Sequence, residues 1–235
     1  MFFNKSIEEV LKEFGSNHLT GLSQKESEMQ REKFGLNQLE TKKPKTIIAM
    51  FFAQLNDILI YILIAAAVIS ALLGETSDAV IIAIVIVINA TVGIIQESKA
   101  EKALDALKKL STPKAVVRRD GELSEIPSRE VVPGDIIIID AGRYVPCDLR
   151  LLETANLKIE ESTLTGESVP VDKDAMLVLT GDDIPLGDQK NMLFMSTLAT
   201  YGRGVGIAVS TGMNTQIGKI AKMLDENVED RKSVV

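Results

Sequence analysis

Cysteine and histidine are nearly absent from this 235-residue chain: Cys147 and His18 are the only examples. One cysteine excludes an internal disulfide framework and any multi-cysteine zinc site. One histidine argues against a His-based metal cluster or a Ser-His-Asp triad. Tryptophan is absent, and aromatic residues make up only 4% of the chain. Positive charge is not in excess either. The formal net charge is −7, which speaks against a nucleic-acid partner, whose binding draws on a positive surface. What is present is aliphatic: the chain is 46% hydrophobic beside 25% charged, a balance that excludes a disordered polymer. Its length allows one large domain or two small ones.

The charges divide the chain into three parts. Residues 1–46 carry a net +1, residues 47–110 a net −2 and residues 111–235 a net −6. The middle part holds almost all the long apolar sequence. Ile47–Leu73 is 27 residues with one charge, Asp57, and Ala79–Ile95 is 17 residues with none. At roughly 1.5 Å per residue, such helices span a hydrocarbon core of about 30 Å, the second with help from its flanks. The reading is a membrane protein with a two-helix transmembrane hairpin, helix 1 over about 47–73 and helix 2 over about 77–97. Gly74–Asp78 is the acidic turn. Lys42, Lys43 and Lys45 precede the first span, Lys99, Lys102, Lys108 and Lys109 follow the second, and the turn has neither Lys nor Arg. The positive-inside rule then puts both termini in the cytoplasm. Tyr61 is the one Tyr in this part, so an aromatic belt gives no support. Ala100, Ala103, Leu104, Leu107 and Leu110 recur at helical spacing, predicting a cytoplasmic stalk that ends at Ser111-Thr112-Pro113.

The flanking parts differ in kind. Residues 1–46 read as two short helices, with capping boxes at Ser6/Glu9 and Ser23/Glu26 and stops at Gly15 and Gly35. His18 falls in the connecting loop and is read as an ordinary residue. Beyond residue 111 the pattern is mainly β. Asp120-Gly121 marks a hairpin between Lys114–Arg119 and Glu122–Ile126. Further strands are expected at Ile136–Asp140, Leu149–Glu153, Met176–Leu179, Met192–Leu198 and Gly204–Thr211, at the spacing of a sandwich or barrel. Thr215–Glu226 turns helical.

Most chemical motifs fail on inspection. Gly212–Lys219 has five residues between its glycines where a P-loop has four, and Ile220 stands where the Mg²⁺-binding hydroxyl belongs. Gly202, Gly204 and Gly206 read as a bend or bulge in a strand. Asp182-Asp183 and Glu229-Asp230 read as solvated loop charges. Thr165-Gly166-Glu167-Ser168 is the exception: a carboxylate flanked by hydroxyls, with Gly166 admitting close approach and Pro170 stiffening the exit, can position a water for attack. Taken alone, the four residues also fit a polar surface turn.

The surroundings make the string specific. Gly21-Leu22-Ser23, Phe34–Leu39, Gln54–Leu73, Gln96-Glu97, Val132-Pro133-Gly134-Asp135, Pro146, Asp148, Arg150, the Thr165–Ser168 loop, Asn191, Phe194, Thr211-Gly212 and Ile217-Gly218-Lys219 all join it. Over nearly its whole length the chain resembles the N-terminal part of P-type (E1–E2) cation-transporting ATPases, closest to type II pumps of the calcium group. Glu161 stands where that family has aspartate. The resemblance implies an N-terminal cation-ATPase segment (1–46), two transmembrane helices with stalk (47–110), a distorted jelly-roll-like actuator domain (111–226) and a linker (227–235) toward a third transmembrane helix.

It also implies chemistry. In these pumps ATP, with Mg²⁺, phosphorylates an aspartate in a separate domain, and the actuator loop then promotes hydrolysis of the aspartyl phosphate. Glu167 would orient or deprotonate the water; Thr165 and Gly166, with Ser168 beside them, would shield and position the phosphoryl group. The transported ion is expected to be Ca²⁺, the partners are the lipid bilayer and the pump's other domains, and the location is the plasma membrane. No cofactor or metal is expected on this chain itself. No Asp-Lys-Thr-Gly phosphorylation motif occurs, Asp172-Lys173-Asp174 being the nearest string. The chain alone is therefore expected neither to hydrolyse ATP nor to pump. Asp57 has two readings, a residue at a cytoplasmic ion entrance or an interfacial residue near that face. A second reading of the whole is a non-enzymatic, membrane-anchored β module that binds or regulates a partner protein.

Overall fold

The computed structural model describes residues 1–39, 46–110, 113–181 and 183–232, with side chains described to 103 in the helix ending at 110 and to 224 in the last helix. Lys42, Lys43, Lys45, Ser111, Thr112 and Asp182 lie outside the described residues. The chain forms two compact units, Met1–Glu40 with Thr112–Val235, and Thr41–Ser111.

The N-terminal residues belong to the β unit. After a 3-10 turn at Phe2–Asn4 come α1 (Ile7–Phe14) and α2 (Gln24–Phe34). Both capping boxes form. Ser6 and Ser23 each accept an N–H from the glutamate three residues on, whose carboxylate accepts the serine N–H at 2.8 Å. Gly15 ends α1 in the left-handed region that a glycine enters freely.

Among the described residues seven strands follow: β1 (Lys114–Arg119), β2 (Glu122–Pro127), β3 (Ile136–Asp140), β4 (Asp148–Glu160), β5 (Val171–Asp172), β6 (Met192–Leu193) and β7 (Leu198–Ser210). They pair antiparallel along the path β2-β1-β3-β7-β4-β5, with β6 on β4. The expected hairpin is present, with Asp120 and Gly121 both at positive φ as a two-residue type I′ turn requires. β3 explains its own isoleucine run: Ile137 and Ile139 enter one apolar cluster and Ile136 enters another, so both faces are buried. The expected short runs at Leu149–Glu153 and Gly204–Thr211 are pieces of two 13-residue strands, β4 and β7, which pair through several register shifts. Gly202 (φ 75°) sits at one of these irregularities, as a bend in a strand should.

Two expected strands differ. Met176–Leu179 is not a strand, because its backbone is bound elsewhere: Leu177 O accepts from the side chains of Arg150 and Asn191, and Leu179 N–H donates to the main-chain Phe3 O. Met192–Leu198 is interrupted after Leu193, where Asp148 Oδ1 captures the Met195 N–H at 2.9 Å. A single helical turn, α6 (Ser162–Thr165), separates β4 from β5, and a final helix, α7 (Gln216–Lys232), follows β7. Thr215 caps it through Gly218 N–H, and Asp148 Oδ2 accepts Gln216 N–H at 2.8 Å.

The second unit is helical. Where the sequence reads as one span over 47–73, the structure has α3 (Ile47–Leu55) and α4 (Ile58–Leu72), bent by 75° at the break. Two short polar side chains cause it. Asp57 caps α4 by accepting Leu59 N–H at 2.7 Å, and Asn56 leaves the helical region and accepts from Tyr61 O–H. After Gly74, a continuous 35-residue helix, α5 (Thr76–Leu110), occupies the stretch expected as second span and stalk. Within it, Thr76–Ala103 is long and apolar enough to cross a membrane; α3 and α4 reach that length only together. Gln54 on α3 donates to Glu97 on α5 at 3.3 Å.

Candidate functional site

The predicted loop lies between β4 and β5. Its base is buried. Glu160 ends β4, Glu161 is 1% exposed, and Ser162–Thr165 makes the single helical turn α6. Glu161 O accepts the N–H groups of Leu164 (2.9 Å) and Thr165 (3.0 Å) and the Thr165 hydroxyl (3.1 Å). The Thr165 oxygen in turn accepts Glu167 N–H at 3.2 Å. Gly166 closes the turn at φ 78°, where a β-carbon would meet no atom within 4 Å; the conformation alone favours glycine. Gly166, Glu167 and Ser168 are exposed and Thr165 is half-buried.

Leaving the loop, the chain passes through β5 to Lys173. Its Nζ lies 2.6 Å from Glu161 Oε1, with both side chains inaccessible to solvent or nearly so. Glu161 Oε2 has no hydrogen-bond partner, so the pair is only partly compensated. Burial pushes the Glu161 carboxyl up and the Lys173 ammonium down, each opposed by the charge of the other.

A second wall faces the loop. Pro185–Asp188 and Leu164, Thr165 and Glu167 line an open cavity of about 400 Å³. Gly187 comes close enough that a β-carbon there would touch the Thr165 methyl at 3.4 Å. Leu164, Ile184 and Leu186 pack beneath on the cluster that holds Phe3 and Phe194. Sequence reasoning missed this wall; Pro185-Leu186-Gly187-Asp188 signals a turn but carries no chemical string of its own. A second cavity of about 390 Å³, between Tyr144, Pro146 and Met195, is apolar and contains none of the loop residues.

Other singled-out residues have structural partners. Arg150 is fully buried and faces carbonyls, its guanidinium donating to Leu151, Ala175, Asn191, Lys5 and Leu177; burial lowers its pKa to about 10. Asp135 holds Arg119 through two bonds of 2.8 and 2.7 Å. His18 lies 3.0 Å from Glu153. Asp57 serves as the helix cap described above. Among the described residues no group of three metal-binding side chains occurs. The site is thus an exposed carboxylate and hydroxyls presented on a buried base, suited to act on a group brought to it.

Comparison with known proteins identifies the family of the chain. Residues 2–70 match the cation transporter/ATPase N-terminus, and residues 109–225 match the P-type ATPase actuator domain. The chain is 59% identical over 232 residues to "Calcium-transporting ATPase 1" of Bacillus cereus, covering 97% of this chain and 26% of that protein. It is 47% identical over 205 residues to "Calcium-transporting ATPase" of Bacillus subtilis (87% and 23%). It is 42% identical over 216 residues to "Probable cation-transporting ATPase F" of Mycobacterium bovis (92% and 24%). The chain spans about a quarter of the length of the curated relatives it matches. With both family models matched in chain order, the chain belongs to the P-type (E1–E2) cation-transporting ATPases and carries their N-terminal segment and actuator domain.

Proposed function

We propose that this chain is the N-terminal transmembrane and actuator part of an ATP-driven cation pump, and that Thr165–Ser168 promotes hydrolysis of its aspartyl phosphate. The observation that carries this is the presentation of Glu167: exposed, at the tip of a tight turn, on a base whose Glu161 is buried. In the reaction, water attacks phosphorus and the bond from phosphorus to the aspartyl oxygen breaks. Carboxylate and inorganic phosphate leave, and Glu167 orients the water and takes its proton. Thr165, Gly166 and Ser168 position the phosphoryl group. The phosphorylated aspartate, the ATP and Mg²⁺ requirement and the main ion sites belong to the complete pump.

In this reading residues 47–110 form a transmembrane hairpin and stalk, and the β domain is the distorted jelly roll of an actuator. Both ends of the hairpin are cytoplasmic, and the membrane is the plasma membrane. The aliphatic surface supports it: Ile58 is 80% and Leu72 83% exposed in the helical unit, more than water tolerates in one contiguous band. The names of the two Bacillus relatives favour Ca²⁺ as the transported ion. In the complete pump, Glu167→Gln should still form phosphoenzyme from ATP and then accumulate it. Normal phosphoenzyme turnover in that variant rejects the assignment, and cation-dependent phosphorylation in membranes identifies the ion.

A further inference from the structure

Lys173 contacts the residues that adjoin the two walls of the loop cavity, Glu161 and Gln189. On one side its Nζ pairs with Glu161 Oε1 at 2.6 Å. On the other it reaches Gln189 O at 3.4 Å, just past the Pro185–Asp188 wall, while Gln189 Nε2 donates back to Ile184 O at 2.8 Å. The Phe194 ring lies beneath the ammonium at 5.8 Å. The backbone is tied down in the same place: Lys173 N–H donates to Leu157 O and Asp174 N–H to Lys190 O. From Glu161 a chain of hydrogen bonds leads outward, through its carbonyl to the Thr165 hydroxyl and from that oxygen to Glu167 N–H.

We infer that Lys173, through its buried pair with Glu161, is a positioning residue that sets where Glu167 stands relative to the Pro185–Asp188 wall. The inference rests on the hydrolytic role proposed above for residues 165–168. An ion pair is directional where an apolar contact is not, so it fixes the rotation of the α6 turn and the separation of the two walls together. A burial so nearly complete is hard to explain as surface electrostatics, and one unpartnered carboxylate oxygen means that the pair is not a stability optimum. The Asp-Lys-Asp string of the sequence thus has a use unrelated to phosphorylation: its lysine is the link between the two walls.

The test uses the complete pump in membranes and follows phosphoenzyme formation from ATP separately from phosphoenzyme decay. Lys173→Met keeps an unbranched side chain only one atom shorter and removes the charge. Phosphorylation should remain near the wild-type level, and decay should slow by about tenfold or more, as a misplaced carboxylate requires. Because an unpartnered Glu161 can unfold the domain, the double variant Glu161→Gln/Lys173→Met is made beside it, relieving the lone charge. Slow decay in the double variant supports positioning; wild-type decay in the double variant overturns it, because the pair then serves only stability. Glu167→Gln run in parallel separates the two levels. Normal decay in Glu167→Gln removes the hydrolytic reading itself, whereas stalled decay there with normal decay in the Lys173 variants removes only this inference.

Discussion

Asn37 Oδ1 accepts the Gly212 N–H at 2.8 Å, joining the end of the N-terminal segment to the turn before α7. The same amide donates to Ser128 O at 2.9 Å and Pro146 O at 2.8 Å, so one 4%-exposed side chain closes three loops. Asn37→Ala would leave a buried N–H, the buried Pro146 carbonyl and the half-buried Ser128 carbonyl without this partner, at about 1–3 kcal/mol for a buried group. We expect a loss of about 3 kcal/mol in unfolding free energy, measured by thermal unfolding in detergent followed by circular dichroism. Asn37→Asp, which keeps the acceptor and loses both donors, should not restore stability. A variant as stable as the parent would mean that water takes over these bonds.

Much of this arrangement is legible in the sequence wherever a local rule governs. The serine–glutamate boxes, the Asp120-Gly121 hairpin and the aliphatic runs depend on residues within a few positions of each other. What the sequence conceals depends on distant partners. The run at Met176–Leu179 has strand composition, but its Leu177 carbonyl is taken by both Arg150 and Asn191, residues that no local pattern connects to it. β4 extends to Glu160 despite Asn156 at φ 52°, because β7 follows it through matching irregularities. Hydropathy averaging hides the break at Asn56-Asp57, since two polar residues barely lower the mean of a 27-residue run. Thr165–Ser168 could be found from its letters; the wall opposite it and Lys173 beneath it could not.

Asp148 provides a test with a defined pH window. Burial raises its carboxyl from an ordinary 3.8 to about 6, against the opposing N–H bonds from Met195 and Gln216 and the charge of Lys219. Between these values the folded state holds more protons than the unfolded state, so stability falls as pH rises from 3.8 to 6 and this contribution levels off outside. Asp148→Asn lacks that dependence. The unfolding free energy of the parent minus that of the variant should therefore drop by about 2 kcal/mol between pH 3.8 and pH 6. A difference that stays constant from pH 3.8 to 6 would remove the raised carboxyl.

Two glycines at positive φ should respond differently to the same change. A β-carbon on Gly166 meets nothing within 4 Å, so Gly166→Ala should lose only about 1–2 kcal/mol of backbone preference and leave the domain folded. A β-carbon on Gly202 would collide with the carbonyls of Asn156 and Ala155. Gly202→Ala should therefore abolish the cooperative unfolding transition or lower its midpoint by far more. Equal effects at the two positions would mean that β4 and β7 can separate at the bulge without loss.

In the helical unit Gly93 gives room to Gln54. A β-carbon at Gly93 would stand 2.5 Å from Gln54 Oε1, at the far end of a side chain that can swing away. Moving it breaks the 3.3 Å bond to Glu97 Oε2. Gly93→Ala should accordingly lower stability by about 1 kcal/mol through that lost bond, partly offset by the helix preference of alanine. In a Gln54→Ala background the clash and the bond are both gone, and only the helix preference remains, so Gly93→Ala should there become neutral or stabilising. The double-mutant cycle, read from helical circular dichroism on heating in detergent, isolates that coupling. A Gly93→Ala effect of the same sign and size in both backgrounds would show that the glycine serves something other than the approach of Gln54.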